Sequence, residues 1–175
     1  MQSKLIEVVD YDLAWPAKFA EEAEKLREVI DDNLAGIEHA GSTAVPGLSA
    51  KPIIDILIGV FLLEAANAAI PKIEALGYSY WREDTIPRRL YFVKGLPPNG
   101  PRSHHIHLVE KDTEFWRTHL LFRDILRADP AEARRYEELK IRLAAQFSGD
   151  REAYTDGKAD YIQAVLDTHY HATKP

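Results

Sequence analysis

The sequence contains no cysteine, and this absence excludes thiol catalysis, zinc–thiolate centres and disulfide bonds. It also contains no apolar run near the roughly 18 residues that a membrane-spanning helix requires. Residues 1–7 lack the apolar character of a secretory signal segment. Together these absences predict a cytoplasmic protein that has no membrane partner.

Basic residues are in the minority, because 22 Lys and Arg stand against 28 Asp and Glu and give a formal net charge of −6. A nucleic-acid-binding surface requires basic patches or stripes, so this composition disfavours a nucleic-acid partner. Basic side chains are unevenly placed, and five of them gather in the middle of the chain, at Arg82, Arg88, Arg89, Lys94 and Arg102. Such a local cluster either binds a small anion or forms a solvated strand edge.

Apolar residues make up 46% of the 175-residue sequence, which is enough to bury a core without disulfides or structural metals. We predict a single domain over residues 1–175, divided into an α/β half (1–110) and a helical half (111–175). The predicted fold class is α/β, or α+β, with a mixed β-sheet flanked by helices.

The first half combines helix and strand signals. A helix is predicted to begin at Trp15-Pro16, because proline is tolerated in a first helical turn, and to end at Gly36. Residues 53–60 are apolar at nearly every position, which is typical of a strand covered on both faces. The remaining predicted elements are a strand from Ile37, a helix over 63–76 interrupted by Pro71, strands over 78–82, 88–94 and 104–110, and a turn over 97–101.

Three helices are predicted in the second half. Thr113, Asp129 and Asp150 each precede a helical apolar pattern and are residue types that cap helix N-termini. Tyr154 and Lys158 are four residues apart in the third predicted helix, so we expect them to share one of its faces.

One acidic residue interrupts an apolar strand in residues 37–58. Asp55 would be costly to bury there without a partner, and strand alternation places it on the same face as Leu57. Gly41 and Ser42 form a turn upstream, and backbone N–H groups in such turns can bind phosphate. Lys51, just before the strand, either supplies a point charge for the same anion or is a solvated loop residue.

Two histidines share one face of the predicted strand 104–110. His105 and His107 are two residues apart, so their side chains project side by side. A lone histidine is more often structural, but a pair on one face favours a ligand role. With Asp55 they would form a set that binds Mg²⁺, Mn²⁺ or Zn²⁺, provided that the two strands adjoin. Arg89, on a third strand, has the planar guanidinium that binds phosphate with two hydrogen bonds.

The pattern His39-x-Gly41-Ser42-Thr43-x-Val45-Pro46-Gly47-Leu48-x-x-Lys51-Pro52-x-x-Asp55 resembles the GrpB family, a bacterial branch of the nucleotidyltransferase superfamily typified by DNA polymerase β. The resemblance continues through Ala75-Leu76-Gly77-Tyr78, His104-His105-Ile106-His107, His119-Leu120-Leu121-Phe122-Arg123-Asp124 and Tyr154-x-x-x-Lys158. It implies a nucleotidyltransferase-like fold with nucleotide as partner. Residues and resemblance together predict a phosphate or nucleotide site at Gly41, Ser42, Lys51, Arg89, Tyr154 and Lys158.

The sequence departs from the polymerase β pattern at Leu57. That pattern reads Asp-x-Asp, with a third acid on a later strand, and holds two metals that activate the attacking oxygen and stabilise the leaving one. Leucine cannot bind a metal, and the histidine strand stands where the third acid would lie. Either the chain uses one metal, with Asp55 as the catalytic ligand beside His105 and His107, or it keeps the fold without the transfer reaction.

Several functions therefore remain open. The first is metal-dependent transfer of a nucleoside monophosphate from a nucleoside triphosphate to an unknown acceptor. The second is a non-catalytic nucleotide- or phosphate-binding module, which the resemblance links to dephospho-coenzyme A kinase because similar domains occur fused to that enzyme. A metal-dependent phosphohydrolase with the same ligands is a third, and nucleic-acid binding is the least favoured.

Overall fold

Five strands form one mixed β-sheet in the computed structural model, which describes residues 5–96 and 100–172. The strands are β1 (Leu34–Ala40), β2 (Ile54–Val60), β3 (Tyr78–Tyr80), β4 (Leu90–Lys94) and β5 (His104–Glu110). They are ordered β1-β2-β5-β4-β3 across the sheet. β2 and β5 run parallel, whereas the other neighbours are antiparallel. The predicted mixed sheet is confirmed.

The described residues also form seven α-helices. They are α1 (Trp15–Ile30), α2 (Leu63–Ala66), α3 (Ile70–Ala75), α4 (Glu114–Ala128), α5 (Pro130–Gln146), α6 (Arg151–Asp156) and α7 (Ala159–Ala172). Thr113, Asp129 and Asp150 accept hydrogen bonds from backbone N–H groups in the first turns of α4, α5 and α6, as predicted. Within the described residues, no helix combines the length and apolar character needed to cross a bilayer.

Several predicted boundaries are wrong. β1 begins at Leu34 and not at Ile37, and β3 ends at Tyr80 and not at residue 82. β4 begins at Leu90, so Arg89 lies just before this strand and not on it.

α1 ends at Ile30, after which the chain makes a short 3-10 turn and enters β1, so Gly36 lies inside a strand. The single helix predicted after Asp150 is two helices, α6 and α7, which are separated at Gly157-Lys158, where glycine lowers the helix propensity. The predicted turn at 97–101 lies partly outside the described residues.

The two faces of the sheet have different neighbours. One face packs into the main core beneath α1–α3 through Ile54, Ile56, Ile58, Ile106 and Leu108. The opposite face of β2 and β5 carries Asp55, Leu57, His105, His107 and Val109, as strand alternation predicts. This second face, which α4 covers in part, is where the polar residues of interest lie.

Trp116 fixes α4 against the second face of the sheet. Its ring lies over Gly36 and Gly59, which are paired in the neighbouring strands β1 and β2. A Cβ atom added at Gly59 would lie 2.8 Å from Cζ3 of Trp116, and one at Gly36 would lie 3.3 Å from Cη2. The two glycines therefore let the indole pack directly on the backbone, beside the buried Leu57.

We expect Gly59→Ala to destabilise the protein by about 1–3 kcal/mol, because the new methyl group overpacks the contact with Trp116. Gly36→Ala is the matched control, since its methyl group has more room and should cost less. Urea denaturation at a common temperature measures both free energies of unfolding. Equal stability of the two variants would contradict this account of how α4 docks.

Candidate metal and phosphate site

The three predicted metal ligands converge on the second face of the sheet. The parallel register sets Asp55 opposite His105 and Leu57 opposite His107. The ligand atoms of Asp55, His105 and His107 lie within 4.8 Å of one another. The side chains of His105 and His107 are only 13% and 16% exposed. The predicted convergence is confirmed, while the role of these residues as ligands stays a prediction.

Gly41 lets the backbone of its turn approach the Asp55 carboxylate. Gly41 has φ +69°, and a Cβ atom there would lie 2.3 Å from Oδ2 of Asp55. No other residue type could occupy this position without moving the carboxylate. His39 supports the same turn, because its Nε2 lies 3.0 Å from Oγ1 of Thr43. The local sequence thus fixes where the carboxylate sits.

Burial and hydrogen bonding determine the protonation states of Asp55 and His105. Burial alone would raise the pKa of Asp55, but the imidazoles of His105 and His107 outweigh it and hold the pKa well below its ordinary value. Burial lowers the pKa of His105. An ionised carboxylate and a neutral imidazole are the forms that bind a divalent metal.

The distances between the ligand atoms suit one divalent ion. Oδ1 of Asp55 lies 3.3 Å from Nδ1 of His105 and 3.6 Å from Nε2 of His107. Metal–ligand bonds of about 2.1 Å in a tetrahedral arrangement place neighbouring ligand atoms about 3.4 Å apart. The two distances from Asp55 match this spacing, and the two histidine nitrogens lie within 4.8 Å of each other, so the three side chains are near enough to share one ion and to leave a coordination position for a further ligand.

The hydrogen bonds of Arg89 affect whether His107 can bind a metal. Its Nε and Nη2 donate to Asp84 at 2.7 and 2.5 Å, and its Nη1 lies 3.1 Å from Nδ1 of His107. A guanidinium can only donate, so Nδ1 of His107 accepts and the proton of the neutral ring lies on Nε2, toward Asp55. That proton must leave before Nε2 binds a metal. Arg89 therefore opposes metal binding by His107 in this arrangement, and its predicted phosphate role stays a prediction.

All nine residues predicted as site residues line one cavity of about 550 Å³ between the sheet and the second-half helices. They are Gly41, Ser42, Lys51, Asp55, Arg89, His105, His107, Tyr154 and Lys158. Sequence reasoning did not select Arg102, Phe115, His119, Lys140 or Arg151, which also border it. Arg102 belongs to the basic cluster noted in the sequence. Lys140 and Arg151 have no such local signal, because only the docking of α5 and α6 brings them here.

Positive charge dominates the lining. Among the described residues that border the cavity, seven are Lys or Arg and only Asp55 is acidic, although the whole chain has a net charge of −6. Arg89 and Arg123 have carboxylate partners, and Nζ of Lys140 donates to the carbonyl of Ser49. The other four, which have no carboxylate partner in the described part of the chain, are Lys51, Arg102, Arg151 and Lys158.

Lys51 and Lys158 lie against the same aromatic ring. Each Nζ is 4.5 Å from the ring centroid of Tyr154, a distance typical of cation–π contacts. The predicted reason for the pairing of Tyr154 with Lys158, a shared helix face, is wrong because Lys158 follows the end of α6. The turn between α6 and α7 brings Lys158 back over the ring instead.

Leu57 fills the place of the second acid. Its side chain is fully buried with Ala40, Val109 and Trp116. An acid at this position would be buried under the indole, where an unpaired charge is costly. The scaffold therefore offers one carboxylate where the Asp-x-Asp pattern offers two.

Comparisons with known proteins identify relatives over nearly the whole chain. The sequence profile described as GrpB protein matches residues 5–168. A UPF0157 protein from Pseudomonas aeruginosa is 46% identical over 97% of this chain and 69% of its own length. The UPF0157 protein YqkA from Bacillus subtilis is 40% identical over 91% of this chain, which spans 46% of YqkA. The glutamate-rich protein GrpB from Alkalihalophilus pseudofirmus is 32% identical over 91% of this chain and 93% of its own length.

The chain is also similar to a protein of known structure and to part of a named enzyme. The crystal structure of the conserved protein GrpB from Enterococcus faecalis has a TM-score of 0.83 at 36% identity and covers 93% of this chain and 96% of its own. A dephospho-CoA kinase from Mycolicibacterium paratuberculosis is 27% identical over 90% of this chain but only 44% of its own length. The first likeness supports the whole fold, and the second concerns less than half of the enzyme.

We expect the free energy of unfolding to rise with pH between about pH 7 and pH 9. Burial lowers the pKa of Lys140 from 10.5 to about 7. The negative charge of Glu137 acts against this shift, whereas the positive charges of Lys158 and Lys51 add to it. In this window the unfolded state keeps a proton that folded Lys140 has lost, so one such group contributes up to about 1.4 kcal/mol per pH unit.

Urea denaturation across this pH range measures the effect. Lys140→Met should flatten the rise, because it removes the titrating group. Lys72→Met, at an exposed position on α3, is the matched control and should keep the wild-type slope. A wild-type stability that falls between pH 7 and pH 9 would contradict a depressed Lys140 pKa.

Proposed function

The chain belongs to the GrpB family, and we propose that its cavity binds a nucleotide or a similar phosphorylated small molecule. The observation that carries the proposal is the charge of the lining, where seven basic side chains surround a single carboxylate in an acidic chain. Phosphate groups are the anions that Lys and Arg clusters commonly bind. A volume of about 550 Å³ lies within the range of small-molecule sites.

The reaction that we propose is transfer of a nucleoside monophosphate from a nucleoside triphosphate to an acceptor. A divalent ion, Mg²⁺, Mn²⁺ or Zn²⁺, would be held by Asp55, His105 and His107 and would polarise a phosphoryl oxygen as a Lewis acid. Lys51 and Lys158 would neutralise the phosphates of the bound nucleotide, and Gly41 and Ser42 would border them. The nucleotidyltransferase-like arrangement of the Gly-Ser turn before Asp55 supports this assignment.

A non-catalytic binding module is the second candidate, and the burial of Leu57 favours it. Without a carboxylate at this position, the chain cannot hold two metals in the way that the Asp-x-Asp pair does. The similarity to part of a dephospho-CoA kinase supports a role beside a partner enzyme. In this role the cavity would bind the phosphorylated molecule without changing it.

Calorimetric titration with a non-hydrolysable ATP analogue, with and without Mn²⁺, tests the proposal. We expect Mn²⁺ to tighten binding by about tenfold or more, equivalent to roughly 1.4 kcal/mol. His105→Ala/His107→Ala should lose this gain, because it removes two of the three metal ligands. His104→Ala is the matched control, since His104 lies on β5 but points to the opposite face.

The outcomes separate the two candidate functions. An absence of binding to the analogue in both conditions would contradict the proposal as a whole. Release of pyrophosphate from a nucleoside triphosphate that requires an acceptor, and that exceeds the rate with the double variant, would establish transfer. Release without an acceptor would instead indicate hydrolysis by water. Binding without release across a panel of acceptors would favour the module.

We expect Mn²⁺ to bind more tightly when the donor to His107 is removed. The double variant Asp84→Asn/Arg89→Met removes the Arg89 guanidinium that donates to His107. It also replaces the Asp84 carboxylate, which is only 11% exposed and would otherwise be left without its partner. Nδ1 of His107 can then carry the ring proton and free Nε2, which should improve Mn²⁺ affinity by about tenfold, the worth of one hydrogen bond. Asp84→Asn alone keeps the Arg89 donor and is the control. Equal affinity of the two variants would show that Arg89 does not set the tautomer.

A further inference from the structure

Four basic side chains border the cavity without a carboxylate partner in the described part of the chain. Lys51 lies in the loop before β2, Arg102 between β4 and β5, Arg151 at the start of α6, and Lys158 between α6 and α7. All four are half-buried. They belong to three separate segments of the chain, since Arg151 begins α6 and Lys158 follows it, so only the completed fold brings all four together.

These charges lie close enough to disturb one another. Burial, followed by the positive charges of Lys158, Arg151 and Arg102, lowers the pKa of Lys51 to about 8, although Asp55 acts in the opposite direction. Burial and the charge of Arg102 also lower the pKa of Arg151. Holding like charges together at partly buried positions costs free energy unless a counter-charge is present. The arrangement therefore favours a bound anion.

Tyr154 holds two of the four basic side chains, Lys51 and Lys158, in place. Its ring is 1% exposed and packs with Ile6, Leu143 and Ala144, so it cannot move with the lysines. Both Nζ atoms lie 4.5 Å from this one ring centroid. Two flexible side chains are thus held at the cavity before any ligand arrives, which lowers the entropic cost of binding.

We propose that Lys51, Arg102, Arg151 and Lys158 form a metal-independent subsite for a ligand with two or more linked phosphoryl groups, such as the polyphosphate chain of a nucleoside di- or triphosphate. The inference rests on the proposed function and narrows its ligand class. One phosphate group carries about −1.5 to −2 at pH 7, so it leaves about half of the four positive charges unmatched. A linked chain of three phosphates carries enough negative charge to neutralise all four, and a chain of two neutralises most of them.

The test uses inorganic phosphate, pyrophosphate and tripolyphosphate as probes, in EDTA so that no metal contributes. Calorimetry on the full chain should show tripolyphosphate and pyrophosphate binding at least about tenfold more tightly than phosphate. Each should also raise the melting temperature by relieving the repulsion. Lys51→Met/Lys158→Met should weaken tripolyphosphate binding at least about tenfold while keeping the contact with Tyr154. Lys72→Met, at the exposed position on α3, should bind as the wild type does.

A second double variant tests the two arginines of the subsite without changing its lysines. Arg102→Gln/Arg151→Gln should weaken tripolyphosphate binding to a similar extent. The inference is overturned if phosphate binds as tightly as tripolyphosphate, or if both double variants bind like the wild type. Tight binding of the ATP analogue with Mn²⁺ but none of tripolyphosphate in EDTA would overturn this inference alone. Tripolyphosphate binding without any response to the analogue and Mn²⁺ would keep the subsite and overturn the proposed function.

Discussion

The parallel pairing of β2 with β5 is the contact on which both the core and the candidate site depend. It places Ile56 opposite Ile106 on the core face and Asp55 opposite His105 on the other. Because side chains alternate along a strand, a slip of one residue would bury Asp55 among apolar side chains and expose isoleucines to the cavity. The free energy that fixes the core register therefore also fixes the geometry of the carboxylate and the imidazoles.

Charge is distributed very unevenly over this fold. The acidic surplus of the sequence lies away from the cavity, whose lining holds seven basic groups and one acid. Some of these basic groups are satisfied within the protein, as Arg89 is by Asp84 and Arg123 by Glu38. Lys51 and Lys158, which lie over Tyr154, have no carboxylate partner among the described residues, so the protein keeps a local electrostatic cost that an anion could relieve. Such a cost is characteristic of sites in which binding takes precedence over stability.

The sequence indicated those features that depend on local spacing. Strand alternation placed His105 and His107 on one face of their strand, and the capping residues Thr113 and Asp129 marked helix starts, because both effects act within a few residues. That Asp55 shares this face depends on the β2–β5 register, which had to be assumed from the sequence alone. Gly36 was misread as a helix end because its purpose, contact with Trp116, involves a residue far along the chain. The partner of Arg89 was missed for a different reason, since Asp84 meets it through the shape of a loop. Arg151 joins the site only through packing, which no local pattern encodes.

The basic residues that border the cavity also determine when a growing chain could first complete the proposed binding site. Lys51 and Asp55 are made early, but Arg151 and Lys158 come from the segment after α5, so the complete lining requires α6 and the turn beyond it. Closing so long a stretch of chain is entropically expensive and follows local folding. During synthesis on the ribosome, the sheet could form while the cavity still lacked one wall. A ligand of the proposed site would then bind only after α6 and the turn beyond it had been made, and it would stabilise these segments as they dock.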